Sequence, residues 1–151
     1  MTDPMKGVFR GLDISTSGMK AEMQRQQVAA ANLGNMHRTG NATKEPYRRR
    51  AVVFEEVLQE ANGARGADQS GRIGAGTSVG KVVEDQTPFP VFYQPGDPNA
   101  DENGKVLGSN VDLFQELVDM TQIERSFDAN LQAMKTYRGM LQNTITNLSS
   151  R

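Results

Sequence analysis

The chain has 151 residues, of which 36% are hydrophobic, and its mean hydropathy of -0.58 suits a small or elongated core rather than a thick one. Its 17 basic and 18 acidic residues give a formal charge of -1, which argues against binding to nucleic acid or to an anionic membrane. No cysteine is present and His37 is the only histidine, which excludes disulfides and cysteine nucleophiles and disfavours histidine-based catalysis. We therefore expect no enzymatic activity, no metal, no cofactor, and partners that are proteins.

The first 18 residues lack the basic segment and apolar run of a secretory signal. No stretch of the sequence approaches the roughly 20 apolar residues of a membrane span. Composition alone therefore predicts a cytoplasmic protein, unless a specialised export system that reads no cleavable signal carries it out.

A long N-terminal helix is predicted from Asp3, which can cap it ahead of Pro4, to about residues 34–36. Along this helix two series of mostly apolar residues recur at seven-residue spacing, which indicates a stripe that packs against another helix. The first series contains Met5, Leu12, Met19, Gln26 and Leu33, and the second contains Phe9, Thr16, Met23 and Ala30.

The middle of the chain, residues 37–108, predicts an irregular β-rich region. Residues 37–46 predict a loop, and β-branched residues favour strands within 47–54, 79–83 and 91–93. Asn103 and Gly104 predict a hairpin turn that returns into a strand at 105–107. The Gly- and Ala-rich residues at about 61–76 are expected to form a flexible insert.

Two local patterns in this region suggest binding sites but favour a structural interpretation. Three arginines at 48–50 resemble a nucleic-acid patch, although beside a strand they more often form a solvated edge that discourages aggregation. Residues 97–101 resemble the start of a calcium loop, but Glu102 replaces the required glycine and Gly108 replaces the required glutamate. We interpret them as an Asx-rich turn.

A second long helix is predicted from about residue 111 to 148, after a capping-box pattern at Ser109 and Asp112. At about 1.5 Å per residue it would be on the order of 55 Å long, too long for a chain of this size to bury. One seam at seven-residue spacing contains Leu113, Met120, Phe127, Met134, Leu141 and Leu148, and a second contains Leu117, Glu124, Leu131, Arg138 and Ile145.

Glu124 and Arg138 interrupt the second seam and lie four helical turns apart, so they cannot pair with each other within one helix. They form either an exposed edge or a contact that fixes register with an adjacent subunit.

The sequence thus predicts an α+β fold, in which N- and C-terminal helices pair as a coiled coil or helical bundle around a β-rich middle. The expected regions are residues 1–36, 37–108 and 109–151. The apolar stripes should stay unsatisfied until another helix or subunit covers them. A structural subunit or a cytoplasmic coiled-coil adaptor would both use such stripes.

Several segments resemble the flagellar basal-body rod protein family, and most closely its proximal-rod type. They are residues 12–35, which end in Asn32-Leu33-Gly34-Asn35, and residues 46–56, 82–107 and 110–141. The resemblance implies a non-enzymatic subunit that polymerises through its terminal helices into the axial drive shaft. It also implies delivery by the flagellar type III export apparatus without signal cleavage, a place in the periplasmic rod, and neighbours of the FlgB, FlgF and FliE type.

Together, the seams and the resemblance predict a subunit interface on both helices. Its residues are Leu12, Met19, Met23, Asn32, Leu33 and Asn35 in the N-terminal helix, and Leu113, Leu117, Met120, Glu124, Phe127, Leu131, Met134, Arg138, Leu141, Ile145 and Leu148 in the C-terminal helix.

Overall fold

The computed structural model describes residues 4–41, 43–60 and 72–149 and confirms the predicted α+β class. Along the described part of the sequence, a long helix comes first, five strands follow, and a second long helix comes last. The elements are α1 (Pro4–Asn35), β1 (Thr39–Gly40), β2 (Arg50–Glu60), β3 (Arg72–Glu84), β4 (Val91–Tyr93), β5 (Lys105–Gly108) and α2 (Leu113–Ser149). The predicted cap Asp3 lies outside the described residues. Neither described helix has an apolar stretch long enough to cross a membrane.

Three short strands form an antiparallel sheet in the order β1-β5-β4. Thr39 pairs with Gly108, and Phe92 pairs with Val106. Strands β4 and β5 lie where they were predicted, but β1 falls inside the segment predicted to be a loop. The Asn103-Gly104 pair is not a two-residue hairpin turn, because Tyr93 pairs with Lys105 and residues 94–104 connect the strands.

Strands β2 and β3 pair in a separate two-stranded sheet and are longer than predicted. Strand β3 begins at Arg72, so residues 72–76 of the expected insert belong to a strand, whereas residues 61–71 lie outside the described part. Pairing with β2 supplies the backbone hydrogen bonds that this glycine-rich segment could not obtain locally.

Helix α2 begins two residues later than predicted because Asp112 is its cap. The Asp112 carboxylate accepts a hydrogen bond of 3.0 Å from the backbone N–H of Gln115, while Ser109 Oγ accepts one of 3.3 Å from Val111 N. Asp112 therefore satisfies a free amide of the first turn, and the capping box predicted from Ser109 is wrong in its position.

The chain divides into two compact units, each containing parts of both helices. One comprises Met1–Met23, Phe54–Gly80 and Ile123–Arg151, and the other comprises Gln24–Val53 and Lys81–Gln122.

In the first unit, glycines allow α1 and α2 to approach closely. A Cβ added to Gly11 would lie 2.6 Å from Tyr137 Cζ, and one added to Gly18 would lie 2.9 Å from Asn130 Nδ2. Because the earlier residue of α1 meets the later residue of α2, the helices run antiparallel in this unit. Strand β3 docks on the same part of α1, where Arg10 Nη2 donates a hydrogen bond of 2.6 Å to Gly74 O.

Candidate assembly interface

The interior of the second unit is built around a buried amide at the end of α1. The Asn32 side chain donates to Arg50 O over 2.8 Å and accepts from Arg50 N over 2.9 Å, so it pairs with the backbone at the start of β2. The Tyr47 hydroxyl also donates to Asn32 Oδ1 over 2.9 Å, and burial raises the pKa of this hydroxyl. Asn32 was predicted to face a neighbour, but its side chain is buried and satisfied inside the chain.

Beside this amide, Arg49 forms the main ion-pair network of the second unit. Its Nε lies 2.6 Å from Glu116 Oε1, and its Nη2 lies 2.7 Å from Asp119 Oδ2. Glu116 is 1% exposed, while Asp119 is partly exposed and also lies 3.7 Å from Arg25. A buried carboxylate needs such a partner, because removing a charge from water is costly.

The three arginines at 48–50 therefore do not form the solvated edge that the sequence suggested. Arg49 points inward, and Arg48 stacks over the Phe89 ring at 4.1 Å from its centroid. Only Arg50 is exposed, and it pairs with Glu84 at 3.4 Å. The prediction failed for Arg49 because its carboxylate partners lie about 70 positions further along the chain.

The interpretation of residues 97–101 as an Asx-rich turn is confirmed. Asp97 Oδ1 accepts from Asn99 N, and Asp101 Oδ1 accepts from both Asn103 N and Lys105 N, each over 2.8 Å. These backbone amides hold the pKa values of the two carboxyl groups below their usual range. In the described ranges no group of three or more His, Asp or Glu side chains could hold a metal ion.

The helices pack within the chain along stripes that differ from the predicted seams. On α2 the stripe contains the buried residues Glu116 and Ile123, and the same seven-residue spacing continues to Asn130 and Tyr137, which contact α1. On α1 the facing residues are mostly small or polar. They are Gly11 and Gly18 in the first unit and Arg25 in the second. A search for apolar periodicity misses this stripe, although small residues at helical spacing could have indicated it.

All the predicted interface residues except Asn32 are exposed or of intermediate burial. Those with exposed side chains are Met23, Leu113, Leu117, Glu124, Arg138, Ile145 and Leu148. Those of intermediate burial are Leu12, Met19, Leu33, Asn35, Met120, Phe127, Leu131, Met134 and Leu141. The structure leaves the seams accessible to other molecules, and their contact with neighbouring subunits stays a prediction.

Exposed apolar side chains greatly outnumber buried ones. Among the described residues, nineteen large hydrophobic side chains are exposed, whereas the fully buried hydrophobic residues are Ala21, Ala29, Val106 and Ile123. The exposed set includes Phe114, at 78%, and all three residues of β4, which no seam predicted. A surface of this kind is typical of a protein that is covered by partners.

The sequence of this chain is similar to those of known proteins that belong to an assembly. Residues 102–148 match the family model described as the flagellar basal body rod FlgEFG protein C-terminal. A flagellar basal-body rod protein FlgC of Bacillus subtilis strain 168 is 34% identical over 91% of this chain and 95% of its own length. FlgC of Escherichia coli O6:H1 is 37% identical, covering 89% and 92%, and FlgC of Agrobacterium fabrum is 33% identical, covering 95% and 94%.

The three FlgC matches cover about nine-tenths of this chain and of each relative. They support the assignment to the rod, not the alternative of a cytoplasmic adaptor. The chain belongs to the FlgC family of flagellar basal-body rod proteins.

Proposed function

We propose that this chain is a non-enzymatic structural subunit of the bacterial flagellar basal-body rod, in which its terminal helices bind neighbouring subunits to form part of the axial drive shaft. The neighbours are further copies of the chain and rod subunits of the FlgB, FlgF and FliE type. The chain reaches the periplasmic rod through the flagellar type III export apparatus without losing a signal peptide.

The observation that carries this proposal is the excess of exposed apolar surface on the helices. Leu117, Ile145 and Leu148 are 46%, 63% and 72% exposed, and they project from a helix of 37 residues. Covering a fully exposed leucine contributes about 1.5–3 kcal/mol, so each of these partly exposed residues contributes roughly 1–2 kcal/mol. Association itself costs at least about 4 kcal/mol, so several must be covered together.

The small apolar interior also supports export in an unfolded state. In the described part of the chain, the buried side chains are as often polar as hydrophobic, and two of the four buried hydrophobic residues are alanines. A chain with so few fully buried apolar side chains loses less hydrophobic free energy on unfolding than a chain of this length with a large apolar core. Polar groups such as Asn32 and Arg49 instead define which arrangement forms when it refolds.

The experiment replaces two seam residues of intermediate burial, as Phe127→Ala with Leu131→Ala, in a strain that carries no other copy of the gene. We expect loss of motility and of the rod from isolated basal bodies, although the protein is still exported. The matched control is Gln132→Ala with Thr136→Ala, which changes exposed polar residues of the same helix outside both seams.

Circular dichroism of each purified variant shows whether α2 still forms. Normal motility in the seam variant would contradict the proposal. Equal loss of motility in the seam and control variants, with helix content retained, would also contradict it, because the defect would then not belong to the seams.

A further inference from the structure

The charges of α2 are separated along its length. Residues 113–128 contain four acids and one base, whereas residues 129–149 contain Lys135 and Arg138 and no acid. The helix dipole favours such a distribution only within the first and last turns, and Glu124, Asp128 and Arg138 lie several turns inside. The helix dipole therefore does not account for the positions of these three charges.

Glu124 and Arg138 are the two charged members of the second seam, and both are exposed. Neither makes an ion pair with any residue that the structure describes. On the helix surface Glu124 also lies close to Asp128, and Arg138 lies close to Lys135. Such neighbouring like charges slightly destabilise an isolated helix. Opposite charges from outside the chain would relieve both repulsions.

We propose that α2 of one copy packs in parallel against α2 of the next copy, displaced by two heptads, so that Glu124 of one meets Arg138 of the other. This inference rests on the proposed function, because it specifies the contact between copies in the polymer. The displacement is fourteen residues, or about 21 Å along the helix axis.

The seam itself selects this displacement. Without displacement, Glu124 would face Glu124 of the neighbour, and like charges would be buried together. If the second copy were displaced by one heptad, Glu124 and Arg138 would each face Leu131 of a neighbouring copy. If it were displaced by three heptads, Glu124 would face Ile145 of the neighbour. Only the two-heptad displacement joins opposite charges, and it also places Leu117 against Leu131 and Leu131 against Ile145.

The partner is α2 of a second copy rather than α1, because the members of the second seven-residue series on α1 carry no charge. That series consists of Phe9, Thr16, Met23 and Ala30. An antiparallel α2 pair would also join Glu124 to Arg138, but its two-fold symmetry would close after two copies. A parallel, displaced contact uses different surfaces on the two copies and does not close after two of them, so further copies can add to it.

Disulfide cross-linking tests this geometry cleanly, because the natural chain has no cysteine. The double variant Leu117→Cys, Leu131→Cys is oxidised in two samples. One is the purified chain at high concentration, and the other is isolated basal bodies that contain the variant. We expect a ladder of covalent multimers, and we expect only monomer from the single variant Leu131→Cys. The antiparallel arrangement would instead yield dimers from Leu131→Cys, since it brings that position against itself. Such dimers, or no ladder in either sample, would overturn the proposal.

Charge exchange provides an independent test that does not depend on cysteine geometry. Glu124→Arg and Arg138→Glu should each reduce the amount of assembled multimer at least tenfold, and the double exchange should restore it to within about threefold. Arg125→Glu, which changes an exposed charge off both seams, should alter it less than twofold. Absence of rescue in the double exchange would count against the pairing.

These results separate the inference from the proposed function. A ladder in the purified chain with normal motility in the Phe127→Ala, Leu131→Ala variant would leave the pairing intact and remove the rod role. Loss of motility in that variant without any ladder would support the rod role and overturn the displaced α2 contact.

Discussion

Replacing Arg49 by alanine should destabilise the chain far more than the same change at the next residue. In the folded chain Arg49 is the partner of Glu116 at 2.6 Å, and Glu116 is 1% exposed. Asp119 would keep Arg25 at 3.7 Å, but Glu116 would lose its ion pair with Arg49 and remain buried. Breaking a buried pair by removing one partner costs about 3–5 kcal/mol.

Arg50→Ala is the matched control, since Arg50 and Glu84 are both about half exposed and lie 3.4 Å apart. An exposed pair of this kind contributes roughly 0–1 kcal/mol. The free energy of unfolding, measured by urea denaturation of the full chain followed by circular dichroism, should therefore fall by about 3–5 kcal/mol for Arg49→Ala and by less than about 1 kcal/mol for Arg50→Ala.

A second variant separates charge from packing at the same place. Arg49→Met combined with Glu116→Met removes both buried charges and should recover most of the lost stability, because apolar replacements of a buried pair are often neutral or stabilising. Equal losses in Arg49→Ala and Arg50→Ala would refute the assignment of Arg49 as the buried counterion of Glu116.

Three further outcomes are expected. Gly40→Ala should lower the free energy of unfolding by about 1–3 kcal/mol, since its Cβ would overlap the backbone of Lys44 and Pro46, whereas Gly34→Ala, with open space around it, should be neutral or stabilising in the same urea titration. Gly104→Ala should cost about 1–2 kcal/mol because φ is 71° there, and Gly96→Ala should cost less; equal losses would contradict this reason. The hydrogen-bonded carboxyl groups of Asp97 and Asp101 have folded pKa values below the unfolded value of about 3.9, so they stabilise the folded chain at neutral pH and this contribution is lost as the pH falls through the folded values. Thermal melts between pH 2 and 7 should show that Asp101→Asn weakens this acid dependence, and an unchanged dependence would contradict it.

The helices and strands β4 and β5 could be predicted because their signals are local. Pro4 and Asp112 mark helix starts, and Val91–Tyr93 is an apolar run between prolines. These features act on the backbone within a few residues. The structure accordingly agrees with the sequence to within about two residues at both ends of α2 and at β4.

The parts that sequence reasoning missed depend on distant partners. Strand β1 is two residues long and exists through pairing with Leu107 and Gly108. The role of Arg49 follows from Glu116 and Asp119, which only the tertiary fold brings near it.

The internal helix contact was missed for a different reason. Gly11 and Gly18 allow α1 to approach Tyr137 and Asn130 of α2 closely, but glycines add nothing to an apolar pattern. From Phe9 onward, the periodic apolar residues on which the predicted seams were based are exposed or of intermediate burial, and their contact with other subunits stays a prediction.

Accessibility of the α2 seam before and after assembly tests the central claim most directly. Ile145→Cys introduces a single thiol at a position that is 63% exposed in the free chain, and Asn143→Cys provides an exposed control on the same helix off the seams. We predict that a maleimide reagent modifies both thiols rapidly in the free chain, and that in isolated basal bodies modification at position 145 slows at least tenfold relative to position 143. Equal modification of the two thiols in assembled rods would contradict the claim that neighbouring subunits cover these apolar seams.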